Sequence, residues 1–128
     1  MDAKIENEPG KSLVIGGTGL VGGYIVEHLL RRSVRWIRGD LTRPDTLKLP
    51  PFATLYCTAD AILLADTLPR LFNPSLRRLV VFSSTSVLTK QDTEVASEQE
   101  TIRKLTDAER RIAAACEQKS VGWTILRP

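Results

Sequence analysis

The sequence predicts an α/β fold in which helices cover a parallel sheet, and three observations support this prediction. Short apolar runs that suit buried strands alternate with longer segments whose apolar residues recur at helical spacing. This alternation is typical of strand–helix–strand units, whose right-handed crossovers place the strands parallel to one another. A glycine-rich turn, Gly16–Gly22, also joins the first strand directly to the first helix.

The elements follow one another from Ser12 to the end of the chain. We predict strands over Ser12–Ile15, Val34–Ile37, Ala53–Cys57, Leu79–Phe82 and Trp123–Leu126. We predict helices over Leu20–Arg32, Ala61–Phe72 and, after a polar stretch, from about Thr101 to Gln118. In the first helix the apolar stripe consists of Val21, Tyr24, Ile25 and Leu29.

Length and charge restrict the class of protein. With 128 residues the chain is long enough for one domain, so we expect a flexible lead over 1–11 and a domain over 12–128. The net charge of +3 is modest, and the basic residues lack the interleaved aromatic residues of a nucleic-acid surface. We therefore expect no nucleic-acid partner and interpret Arg31, Arg32, Arg35 and Arg38 as a solvated face, with contact to a nucleotide phosphate as the alternative.

The cysteines and the apolar runs bear on location. No apolar run reaches the about 18 residues that span a bilayer, and the polar N-terminus does not resemble a signal peptide. Cys57 and Cys116 lack metal-ligand spacing, so we expect reduced, structural thiols and no metal site. These features predict a cytoplasmic protein without a membrane partner, and they leave its oligomeric state open.

The glycine turn is the strongest functional signal in the chain. Gly16 allows a tight turn, Gly19 lets the backbone approach a pyrophosphate, and Gly22 lets the helix pack closely on the strand. The pyrophosphate would lie on the exposed N–H groups of the helix that begins near Leu20. A P-loop is disfavoured because the turn lacks the required lysine, and a turn without any ligand is the remaining alternative.

Four motifs occur in the order found in one known family. The spacing Gly-x-x-Gly-x-x-Gly is followed by Gly39–Thr42, Phe82–Val87 and Trp123–Pro128. Together they resemble the extended and atypical short-chain dehydrogenase/reductases, the NAD-dependent epimerase/dehydratase group. The resemblance covers nearly the whole chain from Ser12. It implies a Rossmann-like, doubly wound parallel sheet that binds NAD or NADP.

The resemblance also implies a set of site residues. Those expected at the cofactor are Gly16, Thr18, Gly19, Leu20, Val21, Gly22, Asp40, Leu41, Thr58, Ala59 and Ser83. Asp40 would hydrogen-bond the adenine, and Thr58 and Ala59 would run beside the cofactor at a strand end. Ser84 occupies the position of the catalytic serine, with polar lining of a strand end as the alternative role. The substrate would be a nucleotide sugar or a similar hydroxyl or carbonyl compound.

Three departures from the family pattern bear on function. Only Ser33–Arg38 separates the first helix from Gly39, so about one strand and one helix are missing, and with them the residue that selects NAD or NADP. No tyrosine follows Ser84, and the family's Tyr-x-x-x-Lys pair is absent. The chain also stops at Pro128, where the family continues into its substrate-binding region.

Glu109 occupies the family's lysine position when the chain is counted back from Leu126, whereas counting from Ala108–Glu109 as the family's Ala-Glu step places Leu105 there. Glu109 falls on the apolar stripe formed by Ile102, Leu105, Ile112 and Cys116. We interpret it as a stripe-edge residue that pairs with Arg110, Arg111 or solvent. The alternative is a carboxylate that accepts hydrogen bonds from the nicotinamide ribose.

Three functions compete on these observations. The first is an NAD(P)-binding protein of the epimerase/dehydratase family whose chemistry is weak or lost. The second is a non-enzymatic NAD(P)-binding sensor or partner protein, and the third is an inactive fragment whose sheet is incomplete.

Overall fold

The computed structural model describes residues 12–16, 20–29, 42–43, 48–84 and 92–127. Within these ranges the chain forms an α/β structure with one four-stranded, all-parallel sheet, which confirms the predicted α/β class and the parallel direction of the strands. The expected lead over 1–11 and the predicted strand over 34–37 lie outside the described residues.

The sheet is built from strands that follow one another in chain order. They are β1 (Ser12–Ile15), β2 (Thr54–Cys57), β3 (Arg78–Phe82) and β4 (Gly122–Leu126), and their order in the sheet is β1-β2-β3-β4. Each observed strand agrees with a predicted one to within one residue at either end. In the register, Leu55 of β2 lies beside Leu79 of β3, which lies beside Trp123 of β4.

The connecting helices are α1 (Leu20–Leu29), α2 (Ala61–Thr67) and α3 (Ala96–Gln118). Asp60 caps α2, since its side chain accepts a hydrogen bond from the Ile62 N–H at 2.9 Å. The α2 helix is shorter than predicted because Pro69 has no N–H to continue the helical ladder. The chain instead forms one 3-10 turn over Leu68–Arg70.

The predicted start of α3 near Thr101 is wrong by five residues. The additional turn, Ala96–Glu100, is polar and mostly exposed, and such a turn resembles a loop when only the apolar pattern is considered. Gln99 stabilises this start, because its side-chain amide donates to the Thr93 carbonyl at 2.9 Å. Glu98 places a negative charge near the positive end of the helix dipole.

One face of the sheet forms the main core. Leu55 and Cys57 of β2 and Leu79 and Val81 of β3 are fully buried against α2 and α3. The buried residues that α2 and α3 contribute to this cluster are Ala61, Leu64, Ala65, Ala108, Ile112 and Cys116. Alternate residues of the two central strands therefore point into one continuous apolar layer.

The buried side chain of α1 lies apart from this core. Val26 is only 6% exposed, yet it is not part of the cluster formed by β2, β3, α2 and α3. Tyr24, which the sequence placed on the apolar stripe, is 65% exposed, so that assignment is wrong. Its side chain is mostly exposed to solvent, whereas the adjacent Ile25 is half-buried.

Candidate functional site

The carboxyl ends of the four strands meet at one edge of the sheet. We call this edge, defined by Gly16, Thr58, Ser83 and Arg127, the carboxyl edge, and each of these residues directly follows a strand. Ligands of open parallel sheets bind outside the carboxyl ends of the strands. A ligand of this sheet is therefore expected at the carboxyl edge.

The glycine turn closes tightly against the end of β2. Gly16 has φ +86°, a conformation that favours glycine, and a Cβ on it would collide with Thr58 Oγ1 and lie 3.2 Å from the Ala59 nitrogen. At Gly22, a Cβ would lie 2.6 Å from the carbonyl carbon of Gly16 and 2.9 Å from Thr58 Oγ1. The sequence predicted that Gly22 lets the helix pack closely on the strand, and in the structure Gly22 packs against the turn residue that directly follows β1.

Thr58 connects the first two strands at this point. Its hydroxyl lies 3.1 Å from the Ile15 carbonyl oxygen and 3.2 Å from that of Gly16, and its backbone N–H donates to Ile15 at 2.9 Å. Thr58 and Ala59 are both half-buried. Gly16, Gly22 and Thr58 therefore form one compact unit, which holds the start of α1 next to the carboxyl edge.

Several predicted cofactor residues lie outside this description. Thr18, Gly19, Asp40 and Leu41 are not among the described residues. Leu20 and Val21 form the first positions of α1, but their side chains are likewise outside the description. The α1 helix has no acidic residue in its first turn, so no carboxylate of that turn offsets the positive end of the helix dipole.

A second polar unit lies at the other side of the carboxyl edge. Glu109 of α3 is only 6% exposed, and its carboxylate accepts hydrogen bonds from two strand ends. The Ser83 hydroxyl donates to one oxygen, Oε2, at 2.6 Å, and the Arg127 guanidinium forms a short ion pair with the other, Oε1. We call Ser83, Glu109 and Arg127 the Ser–Glu–Arg cluster.

The interpretation of Glu109 as a partner of Arg110, Arg111 or solvent is wrong. Arg110 pairs with Asp107 on the same helix, and Arg111 reaches Asp66 of α2 at 2.9 Å. Glu109 faces the opposite way, toward the sheet, because it lies beside buried Ala108 and one turn before buried Ile112. A buried carboxylate requires partners, and Ser83 and Arg127 supply them.

Sequence reasoning did not identify Arg127 as a functional residue, although a signal was available. Parallel pairing of Leu79–Phe82 with Trp123–Leu126 places the residues after each strand side by side. In the structure the Ser83 N–H donates to the Leu126 carbonyl at 2.7 Å, which brings the two strand ends together. Ser84, the predicted catalytic residue, is half-buried at the same strand end, while the contact with the carboxylate is made by Ser83.

The two cysteines lie in the core and are not disulfide-bonded. Burial raises the pKa of the Cys57 thiol to about 11, against a smaller lowering by the hydrogen bond to Ala59. Burial likewise raises the pKa of Cys116 to about 11. Because a nucleophilic cysteine needs a lowered pKa, neither thiol has the properties of a catalytic residue.

Comparisons with known proteins add no assignment. No protein-family model matches the chain, and the search of curated proteins found no match. Within the described ranges, no group of three or more His, Cys, Asp or Glu side chains is arranged to hold a metal ion. No helix in this part of the chain is long and apolar enough to cross a membrane.

Proposed function

We propose that this chain binds NAD or NADP, with the pyrophosphate at the start of α1. The observation that carries the proposal is the unit formed by Gly16, Gly22 and Thr58 at the carboxyl edge. It holds the first turn of α1 close to the ends of β1 and β2. Backbone N–H groups at a helix start bind phosphate, and the absence of an acidic side chain in this turn leaves their charge available.

A Rossmann-like, doubly wound sheet of the epimerase/dehydratase type is part of the same proposal. The separate burial of Val26 supports it, because α1 then packs apart from the core that α2 and α3 form on the sheet. Among the described strands β1 is at the edge of the sheet, and a further strand beside it would place the switch point of the sheet at the glycine turn. Dinucleotides bind at such switch points.

The proposed function is cofactor binding without the family's usual proton transfer. The family relies on a tyrosine whose pKa a nearby lysine lowers, and no tyrosine follows Ser84 in this chain. Glu109, at the lysine position when the chain is counted back from Leu126, engages Ser83 and Arg127 instead. A carboxylate there would repel a tyrosinate, which favours the NAD(P)-binding sensor or partner over the enzyme. With both described cysteines buried and reduced, we also propose a cytoplasmic location.

The test is a titration of the purified chain with NADH and NADPH. Tryptophan fluorescence and the shift in melting temperature are followed, since a ligand that binds only the folded state raises its stability. We expect saturable binding of at least one cofactor. Gly19→Val should abolish it, because the motif places the pyrophosphate against this glycine.

Gly122→Val is the matched control. A Cβ at Gly122 has only ordinary contacts, the nearest at 3.6 Å, and this residue begins β4 at the opposite edge of the sheet. Circular dichroism verifies that both variants are folded. Absence of any shift at millimolar cofactor, or equal affinity in wild type and Gly19→Val, would refute the proposed site.

A further inference from the structure

We propose that Arg127 binds the oxyanion, a carboxylate or a phosphate, of a small hydroxyl-bearing ligand at the β3–β4 end of the carboxyl edge. Glu109 acts as its positioning residue, and Ser83 accepts a hydrogen bond from the ligand's hydroxyl. The inference deepens the function proposed above by naming a ligand class, but binding at Arg127 does not require the dinucleotide. The two proposals are therefore tested separately.

Position separates this site from the proposed pyrophosphate site. Arg127 follows β4, whereas the glycine turn follows β1, and the sheet order places two strands between them. At about 4.8 Å between neighbouring strands, the two strand ends are roughly 14 Å apart. A phosphate held at the start of α1 does not reach Arg127. An anion bound at Arg127 is therefore a different chemical group from the phosphate at the start of α1.

Arg127 is held in place and yet remains accessible. The buried carboxylate of Glu109 fixes one end of the guanidinium through Nη2, while the Arg127 side chain is 31% exposed. Among the residues that the structure describes, Nη2 is the only guanidinium atom with a partner, and Glu109 accepts from one of its two N–H bonds. The second Nη2 N–H and the neighbouring N–H of Nε or Nη1 form a pair of parallel donors for a ligand. Because the guanidinium is already oriented, little side-chain entropy is lost when these donors bind a ligand.

The pair also fits a binding role better than a purely stabilising one. Removing a carboxylate and a guanidinium from water is costly, and replacing a buried ion pair with apolar side chains is often neutral or stabilising. The negative charge of Glu109 offsets the positive charge of Arg127. Recognition of the oxyanion therefore depends on the direction of the N–H donors more than on net charge. A planar fork of donors matches the two oxygens of a carboxylate or phosphate.

Ser83 defines the rest of the ligand. Its hydroxyl has a single proton, which is donated to Glu109 at 2.6 Å. The Ser83 oxygen therefore offers only lone pairs to a ligand, and it accepts a hydrogen bond but does not donate one. A hydroxyl group satisfies this acceptor and a carbonyl oxygen does not. Hydroxy acids and phosphorylated alcohols combine the two required groups.

The experiment measures binding of simple probes to the full chain in the absence of any dinucleotide. Glycerate and glycerol phosphate present an oxyanion beside a hydroxyl, with a carboxylate in one and a phosphate in the other. Propionate lacks the hydroxyl, and glycerol lacks the anion. Binding is followed by chemical-shift changes of the Arg127 Nε–H signal and by the melting temperature. At least one hydroxyl-bearing anion should shift that signal saturably and bind more tightly than propionate or glycerol.

Arg127→Lys tests the fork, because it retains the charge beside Glu109 and removes the paired donors. We expect binding to weaken by about tenfold or more, whereas Arg78→Lys, at the amino end of β3, should leave it unchanged. Ser83→Ala should remove the preference for the hydroxyl-bearing probes over propionate.

An unperturbed Arg127 signal in the wild type overturns the inference without the need for any variant. So does equal affinity in wild type and Arg127→Lys. If Gly19→Val abolishes dinucleotide binding while these probes still bind, both proposals hold. If the probes fail and the dinucleotide binds, only the oxyanion site is refuted.

Discussion

Gly22 lies where α1 passes closest to the turn that follows β1. A methyl group there would meet the Gly16 carbonyl and, at 2.9 Å, the Thr58 hydroxyl oxygen. Two of the three nearest atoms belong to backbone that β1 and Thr58 hold in place, so the strain cannot be relieved by a rotamer change. A side chain at Gly22 would therefore both destabilise the fold and disturb the glycine turn of the candidate cofactor site.

We predict that Gly22→Ala lowers the free energy of unfolding by about 1–3 kcal/mol, the usual cost of overpacking. Urea denaturation followed by circular dichroism measures the change. The control is Gly122→Ala, whose Cβ has only ordinary contacts and which should change the stability by no more than about 0.5 kcal/mol. Similar stabilities for the two variants would show that the turn does not pack as described.

At the level of secondary structure, the central strands were predictable because each is a short apolar run between turn residues. Leu79–Phe82 is such a run, and the structure adds only Arg78 to it. The start of α3 was not predictable from apolar periodicity, because the turn Ala96–Glu100 is exposed. Its helical conformation depends on contacts such as that of Gln99 with Thr93. Local polar contacts of this kind have no periodic pattern.

The candidate site was predictable to a similar extent. The spacing of the glycines predicted the tight turn at Gly16 and the close packing at Gly22. Both features require a residue without a side chain, and glycine can be recognised directly in the sequence. The partners of Glu109 were not predictable, since Ser83 and Arg127 lie 26 and 18 residues away along the chain. Only the register of β3 with β4 brings them together. Long-range pairs of this kind depend on the tertiary structure.

The α3 helix contributes to the core mainly through one face, and Ile112 is the centre of that face. Its side chain is fully buried in the cluster with β2, β3 and α2, whereas Ile102 on the same helix is only half-buried. We predict that Ile112→Ala costs about 2–5 kcal/mol of unfolding free energy and that Ile102→Ala costs clearly less. Chemical denaturation of both variants measures the difference. Equal costs would contradict the packing of α3 on the sheet.

For the whole molecule, the two thiols report on the integrity of the core that joins the sheet to α3. Cys57 lies on β2 and Cys116 on α3, both are fully buried, and both belong to the same apolar cluster. A reagent such as iodoacetamide reaches them only when this cluster opens. We therefore expect alkylation of the native protein to be slow and to accelerate in parallel with denaturant-induced unfolding.

The same burial makes the stability of the molecule fall at alkaline pH. Folding raises the pKa of each thiol from 9.0 to about 11, so below pH 9 both states hold the proton and the full stability is present. Between pH 9 and 11 the thiols of the unfolded chain lose their protons before those of the folded chain. The free energy of unfolding therefore decreases, for each thiol, by up to about 1.4 kcal/mol for each unit by which its pKa is raised. The informative quantity is the difference between wild type and Cys57→Ala/Cys116→Ala, because it isolates the contribution of the two thiols. The double variant should be less stable at pH 8 but lose less stability between pH 9 and 11. Parallel stability curves over that range would show that the thiols do not remain protonated in the folded core.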